Sequence, residues 1–156
     1  MKSLSPRIAR YLTLAICVTL AGVFIYAGLD KIRDPLSFAD SVAAFGLLPI
    51  ILVTPFALGL PVLEVLCGLM LMVAPSRRVA AFTVVLLTAM FFIALAAALA
   101  QGLTLDCGCF GTGAPSRSRM WLESVLDVVL LIAALFVYIN TASTVMGRTT
   151  EDDVSV

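Results

Sequence analysis

The chain has 156 residues, of which 62% are hydrophobic and 13% are charged, and its mean hydropathy of +1.11 indicates an integral membrane protein rather than a soluble domain. Ten basic and ten acidic residues cancel, so the composition does not favour nucleic acid or another strongly charged partner. The absence of histidine excludes imidazole ligands for haem or a transition metal, and it excludes catalytic pairs that need an imidazole base.

Four long apolar stretches predict an all-α bundle of four transmembrane helices. About 20 apolar residues cross the hydrocarbon core of a bilayer. The predicted helices lie near residues 11–30, 54–74, 79–100 and 121–140. We expect one domain over residues 1–147, embedded in the lipid bilayer of the cell's inner (cytoplasmic) membrane, followed by a polar tail over residues 148–156.

The segment after the first helix is predicted to lie at the membrane interface. Charged residues at its start, beginning with Asp30 and Lys31, give way to Phe38, Val42 and Phe45 at near-helical spacing. This pattern is typical of a short amphipathic helix that buries one apolar face in the headgroup region.

Glu64 is predicted to lie deep in the second helix. Counting from Pro55 at about 1.5 Å per residue puts it about 14 Å into the span, close to mid-membrane. An ionisable group at that depth is a candidate functional residue. Its predicted partners are Lys31, descending from the first helix, and Asp127 on the fourth helix, through a shared proton. Either Glu64 fixes helix packing as a structural ion pair, or it relays the protons that accompany thiol oxidation.

Two further cysteines are predicted to lie inside the membrane. Cys17 is about 9 Å from the cytoplasmic face and Cys67 is about 18 Å from the outer face, so in a core of about 30 Å they have similar depths. They form either a second thiol pair or two buried cysteines that serve as small apolar packing residues.

Small residues in the predicted helices indicate close helix packing. Gly22 and Gly28 in the first helix, and Gly59 and Gly68 in the second, allow neighbouring backbones to approach. The alanine-rich third helix fits the same explanation better than it fits a transport pathway.

The segment between the third and fourth helices contains Asp106-Cys107-Gly108-Cys109-Phe110-Gly111. Because Gly108 lacks a β-carbon, the backbone can bend enough to bring the two cysteine α-carbons within disulfide range, about 4.4 to 6.8 Å. A strained, exposed disulfide has a more oxidising potential than a structural one. The pair is therefore a candidate redox centre. The alternatives are a permanent local disulfide and a metal site, for which even Asp106 leaves the loop one ligand short of tetrahedral coordination.

The distribution of basic residues predicts that both termini face the cytoplasm. An even number of helices puts both termini on one side, which then holds six basic residues against four on the other side. An excess of basic residues marks the cytoplasmic side of a membrane protein. The Cys-Gly-Cys loop accordingly faces the extracytoplasmic side, where disulfides persist in bacteria.

Four segments are distinctive in their order and spacing: Ala27 to Pro35, Leu48-Pro49, Pro61 to Glu64 with Gly68 following, and Asp106 to Gly111. Together they resemble the MauE branch of the DoxX-like membrane proteins. The resemblance implies a four-helix membrane protein associated with redox chemistry. Within that branch, MauE is linked to maturation of the disulfide-rich small subunit of methylamine dehydrogenase.

The expected function is thiol–disulfide exchange by a membrane oxidoreductase, with Cys107 and Cys109 as the catalytic residues. Its expected partner is an extracytoplasmic thioredoxin-like protein or a maturing substrate. A quinone is the expected electron carrier, by chemical analogy with other four-helix disulfide-forming membrane proteins, and no metal is expected. The expected supporting residues are Asp106, Gly108, Asp30, Lys31, Glu64 and Asp127.

The alternative function is non-catalytic. In that case the protein is an assembly or anchoring subunit for a redox protein, and the disulfide holds the loop in a shape that a partner recognises.

Overall fold

A computed structural model describes residues 6–102 and 117–152. Within these residues the chain forms five α-helices and no strand: α1 (Pro6–Arg33), α2 (Pro35–Ala44), α3 (Ile50–Met72), α4 (Arg77–Ala100) and α5 (Arg117–Asp152). All except α2 are long and apolar enough to cross a membrane. The predicted all-α fold with four membrane-spanning helices is confirmed, and its orientation in the membrane stays a prediction.

Most helix ends lie beyond the predicted bounds, whereas the last residue of α3 is Met72, two residues before the predicted end at 74. α1 continues to Arg33 and stops before Asp34, because a residue that precedes proline disfavours the helical conformation. α3 begins earlier than predicted, directly after Pro49. α5 passes through the predicted boundary at residue 148 and ends at Asp152. The predicted bounds cover only the apolar residues that cross the core of a bilayer. A helix can continue beyond that core, because its backbone hydrogen bonds do not require an apolar sequence.

α2 is the short helix predicted after the first span. Asp34 is its N-cap, and one of its carboxylate oxygens accepts a hydrogen bond from the backbone N–H of Ser37 at 3.1 Å. Pro35 occupies the first turn, where its missing N–H leaves no bond unmade. Phe38 points inward and is buried. α2 therefore packs one aromatic side chain into the bundle, and its position at a membrane interface stays a prediction.

Close packing of α1 against α3 depends on two glycines. A β-carbon at Gly28 would lie 2.7 Å from the carbonyl oxygen of Pro61, and one at Gly68 would lie 3.0 Å from the carbonyl oxygen of Ala21. The packing prediction is thus confirmed for Gly28 and Gly68.

The same prediction is wrong for Gly22 and Gly59, since a β-carbon at either position would have no neighbour within 4 Å. The reason is helical geometry. Gly22 lies about 120° around α1 from Gly28, and Gly59 lies about 180° around α3 from Gly68. Only one glycine of each helix can therefore face the neighbouring helix.

A small hydrophobic cluster marks one end of the bundle. At this end, Phe45, just after α2, packs with Leu95 and Ala98 of α4 and with Met120 of α5. We call this the α2 end; α1 and α4 finish there, and α3 and α5 begin there. The main hydrophobic core fills the rest of the bundle, with Cys17, Leu20, Leu71, Val84 and Val137 among its most buried residues.

Candidate functional site

A buried ion pair joins α1 to α3. The Lys31 ammonium lies 2.9 Å from each carboxylate oxygen of Glu64. Lys31 is 3% exposed and Glu64 is 2% exposed, so neither charge is solvated at the protein surface. The pairing predicted from the depth of Glu64 is therefore present in the structure.

The close approach at Gly28 brings the two partners together. Gly28 packs against the Pro61 to Val65 segment of α3, and its virtual β-carbon would lie 3.2 Å from the β-carbon of Glu64. Lys31 follows Gly28 in the last turn of α1. Residues three apart on a helix share a face, so the lysine side chain is directed toward the carboxylate.

Two aromatic rings complete the surroundings of the Lys31 ammonium. Its Nζ atom lies 5.4 Å from the ring centroid of Phe38 and 5.2 Å from that of Phe91. Both distances allow cation–π attraction. Phe38 belongs to α2 and Phe91 to α4, so residues from α1, α2, α3 and α4 meet at this one cation.

Asp127 of α5 faces the ion pair across a small cavity. The cavity has a volume of about 30 Å³ and is lined by Lys31, Glu64, Thr88, Phe91 and Asp127 together with apolar side chains. That volume exceeds the minimum for one water molecule, about 10 to 15 Å³. Glu64 and Asp127 thus line one space, as their predicted association requires, while a proton shared between them stays a prediction.

A larger apolar cavity lies on the other side of Asp127, toward the α2 end. Its volume is about 150 Å³, and Phe91 and Asp127 line both cavities. The remaining lining comes from α2 and the linker after it, from α3 and from α4: Val42, Phe45, Leu47, Leu48, Phe56, Met90, Ala94 and Leu95. This cavity could not be predicted from the sequence because its lining comes together only when α2 and its linker pack beside the long helices.

The other predicted site residues are less closely associated with the ion pair. Asp30 is half-buried at the end of α1 but does not hydrogen-bond to Lys31 or Glu64, since the adjacent helical position points about 100° away. Asp106, Cys107, Gly108 and Cys109 lie outside the described residues. The chain leaves α4 and enters α5 on either side of them, at the α2 end.

Cys17 and Cys67 are free thiols and are 1% and 3% exposed. Both belong to the main hydrophobic core. Their environment is that of cysteines that pack as small apolar residues, and a redox function for them stays a prediction.

The described site thus contains one cation, two carboxylates and two cavities. The carboxylates of Glu64 and Asp127 can accept or donate protons inside the bundle, and the larger cavity can admit an apolar molecule. The aromatic rings of Phe38 and Phe91 both lie next to the cation.

Comparison with known proteins identifies the family. Residues 9–140 match the model of the family described as methylamine utilisation protein MauE. The chain is 35% identical to the methylamine utilization protein MauE of Methylophilus methylotrophus over 86% of this chain and 68% of that protein. It is 33% identical to the protein of that name from Paracoccus denitrificans, over 88% of this chain and 74% of that protein. No solved structure matches the chain. The chain therefore belongs to the MauE family of multi-pass membrane proteins.

Proposed function

We propose that the protein is a membrane thiol–disulfide oxidoreductase that acts in methylamine utilisation, in the maturation of methylamine dehydrogenase. The observation that carries the proposal is the Cys107-Gly108-Cys109 motif, in a chain that matches the MauE family over most of its length. In the sequence the motif stands between α4, which ends at the α2 end, and α5, which begins there, and the larger cavity lies toward the same end of the bundle. Its expected partner is an extracytoplasmic maturing subunit or a thioredoxin-like protein.

The chemistry is disulfide exchange in the oxidising direction. A thiolate of the partner attacks the disulfide between Cys107 and Cys109, giving a mixed disulfide and one free cysteine thiolate. A second partner thiolate then attacks the mixed disulfide, so the partner gains a disulfide and this protein becomes a dithiol. Two electrons and two protons must leave the dithiol before the next cycle, and a membrane quinone that becomes a quinol accepts both.

The buried charges give this reaction a route for protons. Glu64 and Asp127 line the same cavity as the Lys31 ammonium, and carboxylates held next to a cation inside a membrane protein are typical of proton pathways. Lys31 also fixes the helices through its ion pair with Glu64. A Glu64→Gln variant separates the two functions: a folded but inactive protein supports proton transfer, and normal turnover with lowered thermal stability supports a purely structural pair.

The proposal is tested by trapping the mixed disulfide. We expect one of the variants Cys107→Ser and Cys109→Ser to accumulate a covalent complex with the partner, because the remaining thiolate can attack a disulfide of the oxidised partner and release one partner thiolate, and no neighbouring thiol is left to displace the partner from the mixed disulfide. Cys67→Ser is the matched control, since Cys67 is buried in the core and its loss leaves exchange unchanged. Non-reducing gels followed by mass spectrometry measure the complex.

Two results would contradict exchange. In the first, neither single variant traps a partner and both retain activity. In the second, a variant without Cys107 and Cys109 still binds the partner and still supports maturation, which is the behaviour of a non-catalytic assembly subunit.

A further inference from the structure

We infer that the cavity of about 150 Å³ beside Asp127 binds the ring of a membrane quinone. The redox use of that ring depends on the proposed function, whereas its binding does not. The electron acceptor then has a defined site within the fold, and Asp127 is the residue that contacts the ring oxygen.

The size of the cavity fits one six-membered ring. An apolar cavity of about 150 Å³ in another protein is known to bind benzene, and this cavity has the same volume. Phe45, Phe56 and Phe91 contribute aromatic side chains to its lining. Aromatic rings pair with one another in offset or edge-to-face arrangements, so these walls suit a planar ring.

The cavity reaches the outer surface of the bundle. Leu47 and Met90 line it and are 54% and 36% exposed. Both lie on apolar parts of the chain, and Met90 belongs to a membrane-spanning helix. A ligand that carries a long apolar tail can therefore place its ring in the cavity while its tail extends into lipid.

Asp127 distinguishes a quinone from a lipid acyl chain. It is the ionisable residue in a lining that is otherwise apolar, and within the described part of the chain its carboxyl group has no hydrogen-bond partner. A quinone oxygen accepts a hydrogen bond from a protonated carboxyl, and a quinol hydroxyl donates one to a carboxylate. An acyl chain offers neither group.

The position of Asp127 also accounts for the protons of the reaction. Oxidation of the Cys107 and Cys109 thiols to a disulfide releases two electrons and two protons, and a quinone takes up both to become a quinol. Asp127 separates the larger cavity from the smaller one that contains Lys31 and Glu64. It can therefore pass a proton to the ring oxygen and be reprotonated from the side of Glu64.

The binding test uses the full chain with Cys107→Ser and Cys109→Ser, so that no exchange chemistry contributes. Decylubiquinone is titrated into the protein in detergent, and equilibrium dialysis gives Kd. Ala94→Phe places a large side chain in the cavity and is expected to weaken binding at least about tenfold. Ala96→Phe is the matched control, because Ala96 lies on the exposed face of the same helix and Kd should not change.

Asp127→Leu is a second variant, which keeps a side chain of similar size but removes its polar group. We expect it to fold normally and to weaken decylubiquinone binding several-fold, because leucine cannot donate a hydrogen bond to the quinone oxygen. Circular dichroism and Tm, measured for all variants, separate loss of the site from loss of the fold. If Ala94→Phe does not fold, Asp127→Leu alone decides.

Equal Kd values for Ala94→Phe and Ala96→Phe in folded proteins would overturn the inference. Displacement of decylubiquinone by decane as strongly as by menadione would also overturn it, since the cavity would then be an acyl-chain groove. Binding that survives in the cysteine-free protein but is lost in Ala94→Phe supports the inference even if the mixed-disulfide experiment fails.

Discussion

The ion pair of Lys31 and Glu64 is almost completely excluded from solvent, so each buried charge is stabilised mainly by the opposite charge of its partner. Removal of one partner from such a pair costs about 3 to 5 kcal/mol, because the remaining charge stays buried. We expect Glu64→Leu and Lys31→Met each to lower the free energy of unfolding by about that amount. The double variant should recover most of the loss, since no unpaired charge remains. Chemical unfolding in detergent measures all three.

Arg33→Met is the matched control for the loss of a cation from the last turn of α1, because Arg33 is exposed. It should change the free energy of unfolding by less than about 1 kcal/mol. The double variant of Lys31 and Glu64 could instead be as unstable as either single variant. That result would show that the ion pair raises the free energy of unfolding by more than the cost of leaving one charge unpaired.

The Lys31–Glu64 pair could be predicted from sequence because depth in a membrane follows from counting residues along a straight helix. Its aromatic surroundings could not. Phe38 reaches the Lys31 ammonium only because α2 folds back against the bundle, and the sequence predicted an apolar face without predicting what it covers. Phe91 is one of many apolar residues in α4, and periodicity alone does not distinguish it.

At the scale of helices, Gly28 sets the distance between α1 and α3. A β-carbon there would lie 2.7 Å from the backbone oxygen of Pro61 and 2.7 Å from Cγ2 of Val65. Since a backbone oxygen cannot rotate away, Gly28→Ala should force the helices apart and lower the free energy of unfolding by about 1 to 3 kcal/mol. Thermal unfolding in detergent measures the effect.

Gly22→Ala provides the control for Gly28→Ala, because a β-carbon at Gly22 has no neighbour within 4 Å. We expect it to leave stability unchanged or to raise it slightly through the helix propensity of alanine. Similar losses in the two variants would mean that α1 does not contact α3 along the face that contains Gly28.

The N-cap hydrogen bond stabilises α2, the helix that contains Phe38 and, in the cavity lining, Val42. Asp34→Ala removes the hydrogen bond to the Ser37 N–H, which should destabilise α2 by about 1 kcal/mol. Exchange of the backbone amide hydrogens of α2 should then become faster from Leu36 to Ala44. Asp40→Ala, at an exposed position of the same helix, should have little effect, and equal exchange in the two variants would contradict the capping function.

Helix number and order were predictable because long apolar stretches are the strongest signal that a membrane protein sequence contains. Helix contacts were only partly predictable. Gly28 and Gly59 look equivalent in the sequence, yet only Gly28 faces a neighbouring helix, because the rotation of each helix about its axis depends on the packing of the whole bundle.

Over the whole molecule, the larger cavity lies toward the α2 end, and Arg77 and Arg78 lie at the opposite end. Arg77 donates a hydrogen bond to the carbonyl oxygen of Leu71 at 3.0 Å, and Arg78 lies 5.6 Å from the ring centroid of Tyr138. These arginines hold the α3 to α4 connection against the neighbouring helices. Cys17 and Cys67 are buried in the main core, so the loop cysteines are the thiols expected to meet a partner.

The ion pair sharpens the prediction that both termini face the cytoplasm. The positive-inside rule counts basic residues in loops, and Lys31 is instead buried and neutralised by Glu64. The side that carries the Cys-Gly-Cys loop therefore retains three basic residues, Arg33, Arg117 and Arg119, against six on the side of the termini. The excess of basic residues on the side of the termini is therefore three rather than two.

This orientation is tested with a membrane-impermeant maleimide applied to intact spheroplasts after mild reduction. Cys107 and Cys109 should be labelled in a protein that retains all four cysteines, because the predicted orientation exposes them to the medium. Cys17 and Cys67 should stay unlabelled until the protein is unfolded, since both are buried. A Cys107→Ser and Cys109→Ser variant should therefore take up no label. Labelling of the loop cysteines only after the membrane is disrupted would reverse the orientation, and it would place disulfide exchange on the side where thiols are kept reduced.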